Sequence, residues 1–299
     1  MLVASVVVAA TVTESKAAGP LHNPDGTPDL QGVWSNATNV PLERPAEGRG
    51  GRAARTAPVP GTAADVHYDL SQYGLDRSHT KMAEDNRTSL VTTPDGRIPP
   101  RLAEAQKRAA ERAAFTREHQ WDGPETRPLS ERCIVWPNEG PPMMSPGYNS
   151  NVQIVQGPGY VAIEQEMIHD VRIIPTDNRP HVLPASTKLF QGDSVGHWEG
   201  DTFVVDTTNL NDRTWLDSAG NVHTDQMHVV ERFTMVNDRT INYEATMEDP
   251  KAFTKPWKIA FPLNRNMQPN YEQMEFACIE GNQDAEHYLE SAGGKVKAK

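Results

Sequence analysis

The fold is constrained most by a series of short segments between residues 149 and 282 in which apolar and polar residues alternate. Turn sequences such as Gly157-Pro158-Gly159 and Glu199-Gly200-Asp201 separate them. The segments with the pattern of β-strands are 152–156, 160–167, 171–175, 202–208, 228–236, 241–247 and 274–279. Short strands with regularly spaced turns predict an antiparallel meander that closes into a barrel or sandwich. Charged residues that point into a small barrel become functional candidates.

Two helices and one more strand are predicted outside this series. Residues 101–118 are rich in Ala, Glu, Lys and Arg and follow two prolines, which predicts a helix across the barrel surface. A second, short helix is predicted at 284–292, with Asn282 as its N-cap and Gly293 at its end. The sequence from Leu30 to Trp34 has the pattern of a short strand entry.

The chain is predicted to form a single domain in three parts. Residues 1–19 are signal-like or disordered, residues 20–130 hold wrapping loops and the surface helix, and residues 131–299 form the barrel core. The predicted fold class is therefore mainly β, an antiparallel barrel with an N-terminal wrapping segment, one surface helix and a short C-terminal helix.

Charge and the N-terminal sequence limit the partners and the location of the chain. The 29 basic and 40 acidic side chains give a net charge of −11, which opposes binding to nucleic acid. The apolar start at residues 1–10 is shorter than the roughly 20 residues that cross a bilayer. It resembles the apolar region of a secretory signal peptide without the usual preceding basic residues; an apolar edge strand or a disordered tail is the alternative. We expect a periplasmic or secreted protein without a stable membrane span.

The chain has two cysteines, Cys133 and Cys278. Neither belongs to a Cys-x-x-Cys motif, so no metal site is predicted from them. In an exported protein they would pair as a disulfide with Cα atoms about 4.4–6.8 Å apart. In the cytoplasm they would remain two buried thiols.

Several sequence blocks occur together over nearly the whole chain. They are Pro28-Asp-Leu-Gln-Gly-Val-Trp34, Arg87-Thr-Ser-Leu90, Asp95-Gly-Arg-Ile-Pro-Pro100, Arg132-Cys133, Tyr148-Asn149, Glu166-Met-Ile-His-Asp-Val-Arg172, Trp198-Glu-Gly-Asp201, Val204-Val-Asp-Thr-Thr-Asn209, His228-Val-Val-Glu-Arg-Phe233 and Cys278-Ile-Glu-Gly-Asn282. As a set, they resemble a large family of mostly exported bacterial proteins that is abundant in soil acidobacteria and sphingomonads.

This resemblance implies a lipocalin-like (calycin) β-barrel with an N-terminal wrap, but no particular activity. It gives weight to five polar residues in the shared blocks: His169, Asp170, Arg172, His228 and Glu231. Three more residues of these blocks are candidates for substrate binding: Tyr148, Asn149 and Glu166. His197 departs from the family, which more typically has Arg at this position.

The predicted strand that begins at His228 places a carboxylate on an apolar face. With a period of two, Glu231 shares a face with Val229 and Phe233, while His228 and Arg232 lie on the other face. A buried carboxylate is costly unless it is protonated or paired, and its pKa shifts accordingly. Glu231 is therefore a candidate general acid or base, and a structural ion pair with an arginine inside the barrel is the alternative.

A second candidate cluster lies at the junction of two predicted strands. His169 has the same parity as Val171, which predicts that it points to the apolar side, with Asp170 and Arg172 on the opposite side. A histidine beside an aspartate and an arginine can carry a proton next to an anion-binding group. A histidine at a turn with an exposed Asp–Arg pair is the alternative.

Together the clusters predict an active site inside the barrel. His169 and Glu231 would face one cavity and exchange a proton, with Asp170 as a further catalytic residue. A basic side chain would pair with one of them or hold an anionic group of the substrate: Arg172, Arg232 or His228.

Other chemistries have weaker support. His197, Glu199 and Asp201 could be metal ligands, but Glu199-Gly200-Asp201 has the pattern of a hairpin turn. No nicotinamide or ATP fingerprint is present, and no serine or cysteine nucleophile is predicted. We therefore predict neither a cofactor nor a metal.

The favoured function is a cofactor-independent acid–base enzyme, a lyase such as a decarboxylase or dehydratase, or an isomerase, acting on a hydrophobic or aromatic small molecule. A non-catalytic carrier and a hydrolase that uses the same carboxylates are the alternatives. Two titratable groups that converge in one pocket would favour an enzyme, whereas a mostly apolar cavity would favour a carrier.

Overall fold

The computed structural model describes residues 19–38, 40–44, 88–137, 139–145, 148–216 and 221–293. Residues 1–18 of the signal-like segment and Arg87 of one shared block lie outside the described residues.

Within these ranges, nine antiparallel strands form one sheet that curls into a nearly closed barrel. In chain order they are β1 (Gly32–Ser35), β2 (Asn151–Gly157), β3 (Tyr160–Gln165), β4 (Val171–Pro175), β5 (Asp193–Glu199), β6 (Thr202–Thr208), β7 (His228–Asn237), β8 (Thr240–Glu248) and β9 (Trp257–Arg265). Their order across the sheet is β4-β3-β2-β1-β9-β8-β7-β6-β5. The edge strands β4 and β5 lie side by side without a hydrogen-bonded ladder, and we call this contact the seam. The predicted mainly β, lipocalin-like barrel is confirmed.

The strand predicted at 274–279 is wrong, whereas the other six predicted segments correspond to β2, β3, β4, β6, β7 and β8. Met274 is 54% exposed and Ile279 is 72% exposed, so the alternation there does not mark a buried face. The segment also pairs with neither edge of the sheet, because those edges, β4 and β5, face each other.

The strand β9 has no counterpart among the predicted segments because Pro262 interrupts its pattern. Proline cannot donate to a ladder and is usually confined to edge strands or bulges. In the structure Pro262 pairs with Asn242 of β8 on one side. On its other side, β9 has two successive neighbours. The Ala260 N–H donates to the Leu90 carbonyl oxygen, and further along β9 pairs with β1. Pro262 therefore lies between these two neighbours, where the N–H that proline lacks leaves no carbonyl oxygen without a donor.

The strand β5 is also absent from the prediction because it is polar and has a glycine in its middle. A Cβ at Gly196 would lie 2.6 Å from the Phe203 ring and 3.0 Å from the Ile174 side chain of β4. Glycine thus lets Phe203 and β4 approach the backbone of β5 closely, and the seam closes around it. The predicted turn at Glu199-Gly200-Asp201 is confirmed, because it joins β5 to β6.

The core is organised around one row of inward-facing aromatic rings. Trp198, Phe203, Phe233, Tyr243 and Phe261 are register neighbours on β5 to β9. Successive ring centroids are 4.9, 6.2, 5.1 and 5.0 Å apart, which is the range of favourable aromatic contacts. This part of the interior is therefore filled by side chains.

Helices and the N-terminal strand complete the fold. The helix α1 (Ala103–His119) buries Ala105, and Arg112 donates to two carbonyl oxygens of the β6–β7 connection, so α1 lies across the outside of the barrel as predicted. In α2 (Asp284–Ser291) the first N–H donates to Asn282 Oδ1. The strand β1 fills the place between β2 and β9, within the segment predicted to wrap the barrel. No helix in the described ranges has the length and apolar character needed to cross a membrane.

Cys133 and Cys278 form a disulfide with Cα atoms 5.7 Å apart, which confirms the predicted pairing. The bridge joins the segment before β2 to the segment after β9. Close to Cys278, the Phe276 carbonyl oxygen accepts a hydrogen bond from His169 Nδ1 at 2.9 Å. The C-terminal segment is thus fastened across the barrel end where β3 ends and β4 begins, which we call the site end.

We expect the Cys133→Ser/Cys278→Ser double variant to lose about 4–5 kcal/mol of unfolding free energy, because the bridge spans 145 residues of the chain. Chemical denaturation followed by circular dichroism measures the loss. Reductant should lower the stability of the wild-type protein and leave that of the double variant unchanged. Equal denaturation midpoints for wild type and variant would contradict a stabilising disulfide.

Candidate functional site

A buried ion pair spans the inside of the barrel. Arg172 on β4 and Glu231 on β7 are 3% and 0% exposed, and two guanidinium nitrogens lie 2.5 and 3.0 Å from the two carboxylate oxygens. The Tyr243 hydroxyl on β8 donates to the same carboxylate at 2.8 Å and accepts from the Met143 N–H at 2.8 Å. The predicted pairing of Glu231 with a basic residue is confirmed, and the residue is Arg172.

The electrostatics of this network fix its protonation states. Burial by itself would lower the pKa of Arg172, but the adjacent Glu231 carboxylate raises it on balance. Burial raises the pKa of Tyr243 well above its usual value, and the Glu231 charge adds to that rise. Both Glu231 oxygens are already bonded, one to Arg172 alone and the other to Arg172 and Tyr243, so this carboxylate has no free oxygen to offer a substrate. Arg172 Nε, in contrast, has no hydrogen-bond partner among the described residues.

The prediction that His169 and Glu231 face one interior cavity is wrong. His169 is exposed, and its Nδ1 is engaged by the Phe276 carbonyl oxygen. Glu231 lies in the core with its own partners. The two side chains therefore cannot exchange a proton directly.

The predicted parity of β4 is also wrong. Arg172 points inward, whereas Val171 and Ile173 are 48% and 69% exposed. The reason is the short turn before β4, in which Ile168 and His169 both have positive φ. Positive φ reverses the local course of the chain, so the alternation of β3 does not continue into β4.

A cleft of about 330 Å³ opens at the seam. Its walls are β4, the start of β5 and the connection between them at 176–192. The apolar part of the lining consists of Val171, Ile173, Pro175, Pro180, Val182, Leu189 and Val195. The polar part consists of Arg172, Arg179, Gln191, Asp193 and Ser194. Arg172 belongs to the lining as a residue of β4, but its side chain is buried and points into the barrel, away from Val171 and Ile173.

The open edge of β4 contributes backbone groups to this cleft. The Gln165 N–H donates to the Asp170 carbonyl oxygen, so the backbone groups of Asp170 and of every second residue after it point to β3. Those of Val171 and Ile173 therefore point to the seam, where β5 does not pair with them. Pro175 ends this edge without an N–H. The cleft thus offers N–H and C=O groups beside apolar side chains.

Two carboxyl groups with raised pKa values are neighbours at the site end. Burial raises the pKa of Asp170, against the lowering effects of the His169 charge and a hydrogen bond with Gln191. Glu139 is 1% exposed, and burial, together with the nearby Asp170 charge, raises its pKa to about 9. One Glu139 oxygen accepts from the Trp136 N–H at 3.1 Å, and the other has no hydrogen-bond partner in the described ranges. At neutral pH Glu139 is therefore a protonated acid beside Asp170, which Gln191 links to the cleft wall.

The three residues predicted to bind substrate from the shared blocks lie at this end too. A Glu166 oxygen accepts from the backbone and side-chain nitrogens of Asn151 at 3.1 and 2.9 Å, and burial raises the Glu166 pKa. Tyr148 is 46% exposed and packs edge-on against Trp136, with ring centroids 5.9 Å apart. Asn149 has positive φ in the turn before β2.

His228 and Arg232 lie on the outer face of β7 and do not contact Glu231. Arg232 pairs with Glu199 at 2.8 Å. His228 Nε2 lies 3.0 Å from both Asp206 oxygens, and this hydrogen bond raises the pKa of His228 and lowers that of Asp206. These two residues are therefore separate from the network at the site end.

One motif was missed in the sequence. Gly192-Asp193-Ser194-Val195-Gly196 has the Gly-x-Ser-x-Gly pattern, which in α/β-hydrolases forms a strand-to-helix turn with an exposed nucleophile. Here Ser194 lies within β5, and its Oγ is 2.8 Å from Thr207 Oγ1 rather than bonded to a histidine. The structural context therefore does not support a serine nucleophile.

In the part of the chain that is described, no group of three or more His, Cys, Asp or Glu residues is arranged to hold a metal ion. The chain matches no protein-family model, and comparison with curated proteins and with solved structures finds no significant similarity. The resemblance to exported bacterial proteins stays a prediction.

We expect Glu231→Gln to lower the free energy of unfolding by roughly 3–5 kcal/mol, because it leaves the Arg172 guanidinium buried without its counter-charge. Glu199→Gln removes the carboxylate of an exposed arginine pair and should change stability little. Urea denaturation of the two variants measures the difference. If Glu231→Gln leaves stability intact, the pair is not structural and Glu231 returns as a candidate for proton transfer.

Glu139 should make stability depend on pH. Its pKa is about 4.5 unfolded and about 9 folded, so the contribution of the protonated carboxyl is complete below 4.5 and is lost as pH rises towards 9. Glutamine cannot ionise, so we expect Glu139→Gln to gain on the order of a few kcal/mol over wild type between pH 5 and 8.5. Denaturation at several pH values measures this, with the exposed Asp201→Asn as control. Parallel curves for wild type and Glu139→Gln would contradict the raised pKa.

Proposed function

We propose that the protein is a cofactor-independent acid–base enzyme, a lyase or an isomerase, whose small-molecule substrate binds in the cleft at the seam. The observation that carries the proposal is the carboxyl pair at the site end. Glu139 is protonated at neutral pH beside Asp170, and Gln191 joins Asp170 to the cleft. Neighbouring titratable groups whose environments separate their pKa values supply an acid and a base in one place.

The two carboxyl groups have complementary roles in this proposal. The Asp170 carboxylate removes a proton from the substrate, and Glu139 donates a proton to another atom of it. Afterwards Asp170 is protonated and Glu139 is ionised, and exchange of one proton with water at each carboxyl restores the starting states. The cycle is balanced without a cofactor or an external oxidant.

The lining of the cleft supports a hydrophobic or aromatic substrate with an anionic group. Val171, Ile173 and Val182 provide apolar contacts on the walls. Arg179, whose guanidinium is half exposed, supplies positive charge to the lining. A positively charged donor beside apolar walls suits a carboxylate or an enolate oxygen.

A non-catalytic carrier is the second candidate function. The charged side chains that line the cleft already have partners within the protein: Arg172 has Glu231, Arg179 has Asp177, and Asp193 has His181. Paired charges between apolar walls suit binding without chemistry.

An oxidising location is part of the proposal. The Cys133–Cys278 disulfide supports a periplasmic or secreted protein, because such bridges persist outside the cytoplasm. The apolar start of the chain supports export as well. The net charge of −11 supports a small-molecule partner rather than nucleic acid.

The test is a metabolite screen with matched variants. Purified protein is incubated with a bacterial metabolite extract, and the changes in composition are followed by mass spectrometry. Asp170→Asn and Glu139→Gln should each reduce turnover at least about 100-fold, the usual effect of removing a general acid or base, without lowering the melting temperature. Asp201→Asn, at the far end of β5, should behave as wild type. Turnover by wild type should fall as pH rises through about 9, where Glu139 ionises, and also in acid, where Asp170 is protonated.

A carrier gives a different result in the same screen. A compound would then be retained by wild type and released chemically unchanged, and Asp170→Asn would not alter its fate. Full turnover by either carboxyl variant would exclude the acid–base proposal.

A further inference from the structure

The connection between β6 and β7 brings a hydroxyl into contact with a buried imidazole. Trp215 and Val222 form an antiparallel bridge, so Thr214, which precedes it, stands opposite His223, which follows it. Thr214 Oγ1 lies 2.7 Å from His223 Nε2. His223 is 5% exposed, and Thr214 is partly buried.

The other ring nitrogen of His223 decides the direction of this hydrogen bond. His223 Nδ1 is 3.0 Å from the Thr224 carbonyl oxygen, which can only accept. The proton of the neutral ring is therefore on Nδ1, and Nε2 offers its lone pair to the Thr214 hydroxyl. Burial lowers the pKa of His223, so the ring is neutral at neutral pH and able to accept a proton.

An aspartate holds the orienting carbonyl in place. The Asp249 carboxylate, directly after β8, accepts from the Thr224 N–H at 2.6 Å and from the Thr224 hydroxyl at 2.8 Å. Asp249 is 2% exposed, so these contacts are shielded from water. A hydroxyl bonded to a neutral imidazole, which a third group orients, is the arrangement in which a base activates a nucleophile.

The helix α1 holds the segment that carries the hydroxyl. The Arg112 guanidinium donates to the carbonyl oxygens of Asp212 and Arg213 at 2.9 and 2.7 Å. Its central carbon also lies 5.6 Å from the centre of the Trp215 ring. Thr214 is therefore fixed from both sides along the chain, as a reacting group must be.

We propose that Thr214 is a nucleophile for a small acyl group, with His223 as its general base. Thr214 Oγ1 attacks the carbonyl carbon of an activated ester, and the hydroxyl proton passes to His223 Nε2. The bond to the leaving alcohol breaks, the alcohol takes that proton, and an acyl-threonine ester remains. Water, deprotonated by the same Nε2, then hydrolyses this ester and restores the hydroxyl. The activity is additional to the acid–base reaction and does not depend on it.

The space beside Thr214 limits the size of the acyl group. A cavity of about 10 Å³ is lined by Leu129, Val135, Trp136, Pro137, Thr214 and Trp215. This volume holds a group about the size of one water molecule. The lining around the hydroxyl is mostly apolar, so the methyl of an acetyl group fits there, whereas a longer acyl chain does not.

The test is the reaction of the intact protein with p-nitrophenyl acetate. Release of p-nitrophenolate reports the attack, and mass spectrometry of the acid-quenched, digested protein locates the acetyl group. Wild type should carry acetyl on Thr214. Thr214→Val and His223→Gln should each slow the release at least about 100-fold, the usual effect of losing a nucleophile or its base. p-Nitrophenyl butyrate should react at least about tenfold more slowly, because its chain exceeds the cavity.

Two further variants separate chemistry from packing. Thr214→Ser keeps a hydroxyl opposite His223, so it should keep the reaction and carry the acetyl group on the new serine. His197→Gln is the matched control: His197 is an exposed imidazole paired with Glu199, and its loss should not change the rate. A wild-type protein without acetyl on Thr214, or one no faster than folded Thr214→Val, would overturn the proposal. The acetyl group is located in wild type, so this result does not require that every variant folds.

Discussion

The structure depends on one interaction, the ion pair that Arg172 makes with Glu231 across the inside of an unclosed barrel. Arg172 belongs to one edge of the sheet, and Glu231 lies on β7, beyond the opposite edge strand and its neighbour. The pair therefore joins the two halves of the barrel where the backbone does not. Because Tyr243 bonds both Glu231 and the Met143 N–H, the same network also holds the loop that carries Glu139. Losing one charge would loosen the seam and the carboxyl pair together.

The inward direction of Glu231 could be predicted from sequence, but the inward direction of Arg172 could not. The strand β7 alternates regularly from His228 to Met235, so the inward direction of Glu231 follows from the period alone. The strand β4 has only five residues, and a turn with positive φ at Ile168 and His169 precedes it. Its residues Val171 and Ile173 face the cleft, whereas Ile174 faces the core. For such an edge strand, apolar residues indicate that one face is covered. They do not indicate whether that face points to the core or to the outside.

The groups at the site end illustrate a second limit. Glu139 stands in a segment rich in proline and glycine that has no period, so no local pattern marks it as buried. Its raised pKa results from desolvation and from Asp170, which is 31 positions away in the chain. Asp170 itself is among the predicted catalytic residues. Gln191 and His181 lie in the connection between β4 and β5, which carries no sequence motif that indicates a functional site. Composition predicted the disulfide, because two cysteines in a chain with an export-like start have one pairing.

The open seam decides which kind of ligand this barrel can accept. An unpaired strand edge is usually a site for another strand, and β4 directs the backbone groups of Val171 and Ile173 into the gap. An inserted strand would need β4 and β5 to stand about 9.5 Å apart, twice the usual spacing between neighbours. At Gly196 the two strands instead approach so closely that the Ile174 side chain would lie 3.0 Å from a Cβ there. This close approach opposes the insertion of a whole strand along the seam. The proposed substrate is therefore a compact molecule that bonds one or two backbone groups of β4, rather than a strand that pairs along the whole edge.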